Sequence, residues 1–156
     1  MIDASCAERV RRVLGKLPIR SQRLTGGCVA DVYRLAFADG ADVVAKLAAA
    51  GGLEVEAWML RRLASESTLP VPEVLYADDD LLLLEYVDND GGPISSSVER
   101  HAAELLASLH ETTADEYGLE RDTLIGSLAQ PNATNESWVA FFRDSRLLAM
   151  GRRATD

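Results

Sequence analysis

Hydrophobic residues recur at helical spacing at the start of the chain and then give way to short apolar runs. Apolar positions between residues 4 and 14 follow a 3.6-residue period, which predicts a helix that Gly15 and Pro18 bring to an end. The runs that follow predict strands at 20–24, 32–37, 42–47, 73–77 and 81–87. Asp39-Gly40 is a hairpin signal between the second and third strands. The run at 81–87 is apolar on both faces, which indicates a strand inside the sheet.

A further helix is predicted at 53–64, and it carries an acidic residue on its apolar face. Leu53, Ala57 and Leu60 mark that face. Glu56 falls on the same face, one turn after Leu53. A carboxylate that faces a core is costly unless a cation meets it. We therefore expect a neighbouring element to bring a cation to Glu56.

Lys46 is the expected partner of Glu56. It is one of only two lysines in the chain and lies inside the apolar strand 43–47. Strand alternation places Val44 and Lys46 on one face, which would face a cleft. An ammonium group can reach phosphate oxygens and a carboxylate together. The alternative is a buried ion pair with a structural role only.

The glycine turn Gly26-Gly27 favours the phosphate site over the structural pair. Glycines carry no side chain, so backbone N–H groups in such a turn can approach phosphates closely. A double glycine alone is usually just a turn. Here strands precede and follow it and the next strand carries Lys46, an arrangement typical of protein kinases and different from the strand–loop–helix of Walker A.

Cys28 follows the two glycines and is a redox candidate. A loop that gathers backbone N–H groups favours the reactive thiolate form of a cysteine. Oxidation could then join two Cys28 loops and produce a dimer of the chain. The alternative is a small loop residue without a redox role.

The second half of the chain is predicted to be mainly helical. The segment 88–93 is rich in Asp, Asn, Gly and Pro and has the composition of a linker. We place a boundary there between two regions, 1–90 and 91–156. Together the elements predict an α+β protein, in which an antiparallel sheet with a helix precedes a helical region.

The helical region contains one capped helix, one long loop and one last helix. Ser96 and Glu99 have the spacing of a capping box, and apolar residues continue at helical spacing to Leu109. Residues 111–135 are predicted to be a loop. The last helix begins at about Glu136 and carries several aromatic residues.

Composition and charge narrow the classes of function. A hydrophobic content of 47% supports a packed core, while a net charge of −9 and a pI of about 4.7 disfavour nucleic acid and anionic membranes as partners. No apolar run approaches membrane-spanning length, and the N-terminus lacks a signal-type apolar core. We therefore expect a cytoplasmic protein with no membrane association. His101 and His110 lack the spacing of a zinc site, so no metal site is predicted in this chain.

These segments resemble the N-terminal portion of the fructosamine kinase (ketosamine-3-kinase) family, which is related to aminoglycoside phosphotransferases. The glycine turn, Lys46 and Glu56 are common to the kinase-like superfamily, and 82–87 is similar to its hinge. More specific to the family are three segments: Gly26-Gly27-Cys28, 125–132 (IGSLAQPN) and 137–147 (SWVAFFRDSRL). The resemblance implies a protein-kinase-like N-lobe followed by the first helices of an α-helical C-lobe.

The resemblance also implies a function and a set of site residues. Members of the family phosphorylate a sugar hydroxyl of ketosamines with ATP and Mg²⁺, so ATP and a sugar-amine substrate are the expected partners. Backbone groups near Glu85 and Val87 would meet the adenine. The residues implied in ATP binding are Gly26, Gly27, Val44, Lys46, Glu56, Glu85 and Val87.

The sequence departs from the family in its catalytic segment. The His-Gly-Asp motif and the Asn and Asp that follow it in the family are absent, since neither His101 nor His110 begins such a motif. We therefore expect no catalytic residue within this chain, which looks truncated before the catalytic loop, and no phosphate transfer by the chain unaided. Two alternatives stay open: a non-catalytic nucleotide-binding or regulatory fragment, and an aminoglycoside-type small-molecule phosphotransferase.

Overall fold

The structure is a computed structural model that describes residues 2–25, 30–89 and 91–155. Its first part contains α1 (Ala4–Leu14), β1 (Arg20–Leu24), β2 (Asp31–Ala36), β3 (Val43–Leu47), α2 (Leu53–Glu66), β4 (Val74–Ala77) and β5 (Leu81–Glu85). Its second part contains α3 (Ser96–His110), β6 (Thr123–Ile125), β7 (Leu128–Gln130), α4 (Trp138–Phe142), a π-helical turn (Arg143–Leu148) and α5 (Ala149–Thr155). In the first part, every predicted element is present within two residues of its predicted bounds.

Within the described residues, five strands form an antiparallel sheet in the order β1-β2-β3-β5-β4. The predicted turn at Asp39-Gly40 joins β2 to β3: the Gly40 N–H donates to the Phe37 carbonyl at 3.0 Å, and Gly40 has a φ of 81°. In the register of the sheet, Lys46 of β3 lies opposite Val32 of β2 and Leu82 of β5. The lysine is therefore on an inner strand, with a hydrogen-bonded neighbour on each side.

A helix covers each face of this sheet, so β5 is buried on both sides. On one face, Val10 of α1 packs with Leu35, Val43, Ala45, Leu81 and Leu83. On the other face, Leu53 and Ala57 of α2 pack with Ala48, Leu82 and Leu84. Alternate leucines of β5 thus enter different clusters, and Leu81, Leu82 and Leu83 are fully buried. The prediction of an inner strand there is confirmed.

Capping residues set the ends of α1, and its Arg9 joins it to the β4–β5 turn. The Asp3 carboxylate accepts from the Cys6 N–H at 2.7 Å, and Gly15, with a φ of 72°, closes the helix as predicted.

Arg9 forms ion pairs with Asp78 and Asp80. Burial raises the pKa of the Asp78 carboxyl, but hydrogen bonds from Arg9, Tyr76 and the Leu81 N–H outweigh that effect and lower it to about 2.

Two expectations for the second part were wrong. The hydroxyl that caps α3 belongs to Ser95, which accepts from the Val98 N–H, and not to Ser96. Because Ser95, Ser96 and Ser97 are adjacent, composition alone did not identify which of them lies just outside the helix. The segment 111–135 is not only a loop, since it contains the antiparallel hairpin β6–β7. Strands of three residues are too short to show a clear alternation.

The last helix begins after its cap, Ser137, and includes a π-helical turn at Arg143–Leu148. Phe141 is 5% exposed, but much of the apolar surface of α3 and of the last helix faces solvent. Among the residues of α3, all of which the structure describes, none is buried. The α+β architecture is confirmed, while the boundary at 90/91 stays a prediction.

None of the helices in the described part of the chain combines the length and the hydropathy that crossing a membrane requires.

Candidate functional site

Lys46 and Glu56 form the ion pair that the sequence predicted. The Lys46 Nζ lies 2.6 Å from each of the two Glu56 carboxylate oxygens. The Lys46 side chain is 23% exposed and the Glu56 side chain 38% exposed. The pair lies at a cleft, as strand alternation predicted for Lys46, but it is half-buried where a buried pair was expected. Its two charged groups stay accessible to a ligand.

The start of α2 is held in place by the β4–β5 turn. Gly51 and Gly52 have φ values of 77° and 91°, a left-handed conformation that side-chain-bearing residues rarely adopt. The Asp79 carboxylate accepts from the Gly52 N–H at 2.8 Å, and the Asp79 carbonyl accepts from the Leu53 N–H at 3.0 Å. These bonds satisfy donors at a helix start that has no side-chain cap of its own. They also determine where Glu56, one turn further along, meets β3.

A cleft of about 440 Å³ lies beside the Lys46–Glu56 pair. The β3–α2 loop and α2 form one part of its wall, and Ala30 and Val32 form another. The hairpin β6–β7 closes it through Leu124, Gly126 and Ser127. Since the walls bring an ammonium and several backbone segments together, the cleft can accept an anionic group such as a phosphate.

A second cleft, of about 690 Å³, contains the residues predicted to meet adenine. Val44, Glu85 and Val87 line it, together with Leu84 and the segment 70–72. Val44 is on the same face of β3 as Lys46, so the two clefts lie along one strand. The apolar walls at Val44 and Leu84 suit a flat aromatic base, and Val87, 59% exposed, is open to solvent.

Arg34 contacts the side chain of Tyr86, the residue between Glu85 and Val87. Its guanidinium carbon lies 3.9 Å from the centre of the Tyr86 ring, and its Nη1 donates to the Tyr86 hydroxyl at 2.9 Å. Asp42 holds the other side of the same guanidinium and raises the pKa of Arg34. The segment at Tyr86 is therefore bound to the sheet through contacts of its side chain with a side chain of β2.

The remaining predicted site residues, Gly26, Gly27 and Cys28, lie outside the described residues. On either side of them, Leu24 lines the larger cleft and Ala30 lines the smaller one. The roles predicted for the glycines in phosphate binding and for Cys28 in dimerisation stay predictions.

Several residues of the site were not predicted from the sequence as site residues. Asp79, Arg34 and Tyr86 act by holding a neighbouring segment, and such roles leave no periodic signal. Gly126 and Ser127 are different, because they belong to the block 125–132 that was recognised as family-specific but not assigned to a site. Their position beside the Lys46–Glu56 pair depends on the tertiary structure.

The described residues offer no group of three His, Cys, Asp or Glu side chains that could hold a metal ion. No ligand of Mg²⁺ is therefore assigned among them, and no step is assigned to the ion.

Comparison with known proteins identifies the same family along almost the whole chain. The family model described as fructosamine kinase matches residues 3–156. The probable ketoamine kinase of Synechocystis sp. is 30% identical over 161 residues, which covers 94% of this chain and 53% of that protein. The probable ketoamine kinase of Enterococcus faecium is 31% identical over 99 residues, covering 62% of this chain and 34% of its own length.

Solved structures agree with these sequence relatives. The crystal structure of a candidate fructosamine-3-kinase from Thermobifida fusca superposes with a TM-score of 0.83 at 29% identity, covering 97% of this chain and 54% of that one. A second candidate fructosamine-3-kinase, from Haemophilus somnus, has a TM-score of 0.76 at 25% identity, covering 90% of this chain and 50% of that one. The chain spans between a third and about a half of the length of these relatives. Given a family match from residue 3 to residue 156 and a fold shared over almost all of its length, this chain belongs to the fructosamine kinase family.

Proposed function

We propose that this chain binds ATP and forms the nucleotide-binding part of a kinase that phosphorylates a sugar hydroxyl of ketosamines. The observation that carries the proposal is the Lys46–Glu56 pair, half-exposed at the edge of a cleft on an inner strand. A pair with only a structural role has no need of an open cleft. Membership of the fructosamine kinase family supports the choice of ATP and of a sugar-amine acceptor.

In this proposal each cleft takes one end of the nucleotide. The adenine lies between Val44 and the hinge segment at Glu85 and Val87, where apolar walls and backbone groups are available. The phosphates extend along β3 to Lys46, whose ammonium is held in place by both oxygens of Glu56. In the sequence, Gly26 and Gly27 lie between Leu24, which lines the larger cleft, and Ala30, which lines the smaller one. In the proposal these glycines cover the phosphates. When bound, ATP supplies the phosphoryl group that is transferred to the sugar.

Mg²⁺ accompanies ATP in the proposal, because metal ions neutralise the charge of the phosphates in this chemistry. Because the sequence contains no His-Gly-Asp segment, we also propose that the 156-residue chain alone binds ATP without transferring phosphate. Sustained ATP consumption with a fructosyl-lysine acceptor, absent in Lys46→Met, would contradict this second part.

The test of ATP binding is titration calorimetry with the purified chain. Lys46→Met removes the ammonium and keeps the length of the side chain. Loss of a charge-assisted contact with phosphate should weaken ATP binding by about tenfold to a hundredfold.

Lys16→Met is the matched control. Lys16 is the only other lysine in the sequence and binds Asp39, beside Phe37 and away from both clefts. It should keep wild-type affinity. Equal ATP affinity in Lys46→Met and Lys16→Met would overturn the proposed function.

A further inference from the structure

The outer face of α2, turned away from β3, is covered by residues of the block 119–132. Trp58 lies on this face, and the guanidinium groups of Arg62 and Arg121 lie 5.6 and 5.4 Å from the centre of its ring. Both distances are within the range of cation–π attraction. Arg62 also forms an ion pair with Glu120. Two consecutive residues of the block, Glu120 and Arg121, thus bind the same helix that carries Glu56.

A second contact joins the block to the first residues of α2. Leu124 of β6 lies against Gly52: a Cβ built on Gly52 would come within 2.6 Å of the Leu124 Cδ1. Gly52 therefore has no room for a side chain while Leu124 is in this position. The two contacts are six residues apart along the helix axis, so together they restrict both its position and its tilt.

The buried side-chain amide of Asn132 holds the block together. Asn132 is 1% exposed, and its Nδ2 donates to the Arg121 carbonyl at 3.1 Å and to the Thr123 hydroxyl at 2.9 Å. Its Oδ1 accepts from Arg146 at 2.7 Å. The Arg146 guanidinium also lies 4.6 Å from the centre of the Phe141 ring. The two family-specific segments, 125–132 and 137–147, therefore meet at the Asn132–Arg146 contact.

The contacts of α2 with the sheet are concentrated in the N-terminal part of the helix. Among the residues of α2, all of which the structure describes, Leu53 and Ala57 are buried, and Leu60 packs against the same cluster. Its start has no side-chain cap and depends on Asp79. A helix that packs on the sheet mainly through its N-terminal half can change its tilt, and a small change in tilt would separate the Glu56 carboxylate from the Lys46 ammonium.

We propose that residues 119–132 act as a brace that holds α2 in the position where Glu56 meets Lys46, with Arg121 and Leu124 as its positioning residues. The brace rests on the proposed function, because the pair that it supports is the proposed phosphate-binding group. In this arrangement the family-specific segments also support nucleotide binding through a series of contacts: Arg146 holds Asn132, Asn132 holds Arg121, and Arg121 contacts Trp58.

A double-mutant cycle in ATP affinity tests this. The variants are Arg121→Met, Glu56→Gln and the double variant, each titrated with ATP by calorimetry. Coupled residues show interaction energies that independent residues lack. Arg121→Met should weaken ATP binding by about threefold to tenfold in the wild-type background, and by about twofold or less when Glu56 is already Gln.

Arg61→Met is the matched control. Arg61 is exposed on the same helix and forms no ion pair with any residue in the described part of the chain. Its ATP affinity should equal that of the wild type. Circular dichroism on each variant verifies that the fold is retained. Should Arg121→Met fail to fold, Trp58→Phe weakens the same contact while keeping an aromatic ring, and the same coupling with Glu56→Gln is expected.

The outcomes separate the two proposals. If Lys46→Met and Lys16→Met have equal ATP affinity, the proposed function is wrong. If Lys46→Met weakens binding and Glu56→Gln does not, the brace is wrong, because the pair that it supports does not contribute to binding. If Glu56→Gln weakens binding and Arg121→Met does no more than Arg61→Met, the brace is wrong and the proposed function stands. An equal effect of Arg121→Met in both backgrounds would also overturn the brace, because the residue would then act independently of Glu56.

Discussion

The cationic partner of Glu56 was predicted from the position of Glu56 on its helix, but the resulting ion pair is less buried than that position implied. Its place on the apolar face of α2 indicated a cationic partner, and Lys46 meets both of its oxygens. The side chain is nevertheless 38% exposed. Water at the cleft screens the pair, so its contribution to stability is that of a partly exposed ion pair.

Replacing Glu56 with Gln should therefore alter binding more than folding. We expect Glu56→Gln to lower the free energy of unfolding by about 1 kcal/mol or less, well below the 3–5 kcal/mol typical of an enclosed pair. Urea unfolding of the wild type and the variant measures this change. A loss near 4 kcal/mol would show that the pair is mainly a structural element.

Asp78 should make stability depend on pH in the acid range. Its pKa is about 2 in the folded chain, below the ordinary value of 3.8. Between those values the unfolded chain binds the proton more tightly, so acid favours unfolding. The contribution of Asp78 is thus present above about pH 4 and is lost as the pH falls to about 2.

Thermal unfolding from pH 5 to pH 2 measures this dependence. Asp78→Asn should be less stable by roughly 1–2 kcal/mol at pH 5 and should lose less stability than the wild type on acidification. Parallel pH profiles for the two proteins would contradict the assignment.

The α2 helix depends on elements that are distant in sequence. Its start is held by Asp79 from the β4–β5 turn and covered by Leu124 from the hairpin β6–β7. Neither contact can be predicted from the residues of the helix, because each depends on which segments the tertiary structure brings beside it. The helix itself was predictable, since the spacing of Leu53 and Ala57 is a local property.

The contact at Gly52 can be measured with a matched pair of substitutions. Gly52 and Gly40 have similar φ values, 91° and 81°, but a Cβ at Gly40 would meet nothing within 4 Å. The left-handed backbone should cost about 1–2 kcal/mol in both alanine variants. Gly52→Ala should cost more, since it also displaces Leu124.

Urea unfolding of both variants gives the difference. In a Leu124→Ala background the excess cost of Gly52→Ala over Gly40→Ala should fall. Equal losses of stability in the two single variants would show that Leu124 does not restrict this position.

The molecule as a whole has a well-buried half and an exposed half. The sheet and its two covering helices contain most of the buried hydrophobic residues, whereas α3 and the last helix present Leu106, Trp138, Val139, Leu147 and others to solvent. Exposed apolar surface of this extent favours association.

We expect the purified 156-residue chain to self-associate in a concentration-dependent way. Val139 is 73% exposed and Leu147 is 59% exposed, so lysine at both positions should lower association without disturbing the core. Ile19 is 70% exposed in the first part of the chain and provides the control substitution Ile19→Lys. Sedimentation velocity over a range of concentrations distinguishes them. If the variant with lysine at 139 and 147 associates as strongly as Ile19→Lys, Val139 and Leu147 do not form the contact between chains.

Local sequence patterns determined most features of the first part of the chain, up to β5. The order of strands and helices up to β5, the inner position of β5 and the pairing of Lys46 with Glu56 follow from alternation, helical period and the cost of burying a charge. The end of α1 follows from the glycine at position 15. Each of these signals is carried by residues within a few positions of one another, so they are readable before the chain folds.

Only the tertiary structure decided how the site is closed and supported. The hairpin β6–β7 lies beside the Lys46–Glu56 pair although it is about 70 residues further along the chain, and its short strands carry no periodic signal. The exposure of the pair, the contact of Leu124 with Gly52 and the meeting of Asn132 with Arg146 depend on which surfaces pack together. Such contacts join segments that no local pattern relates, which is why the sequence indicated the charged pair and the fold revealed what surrounds it.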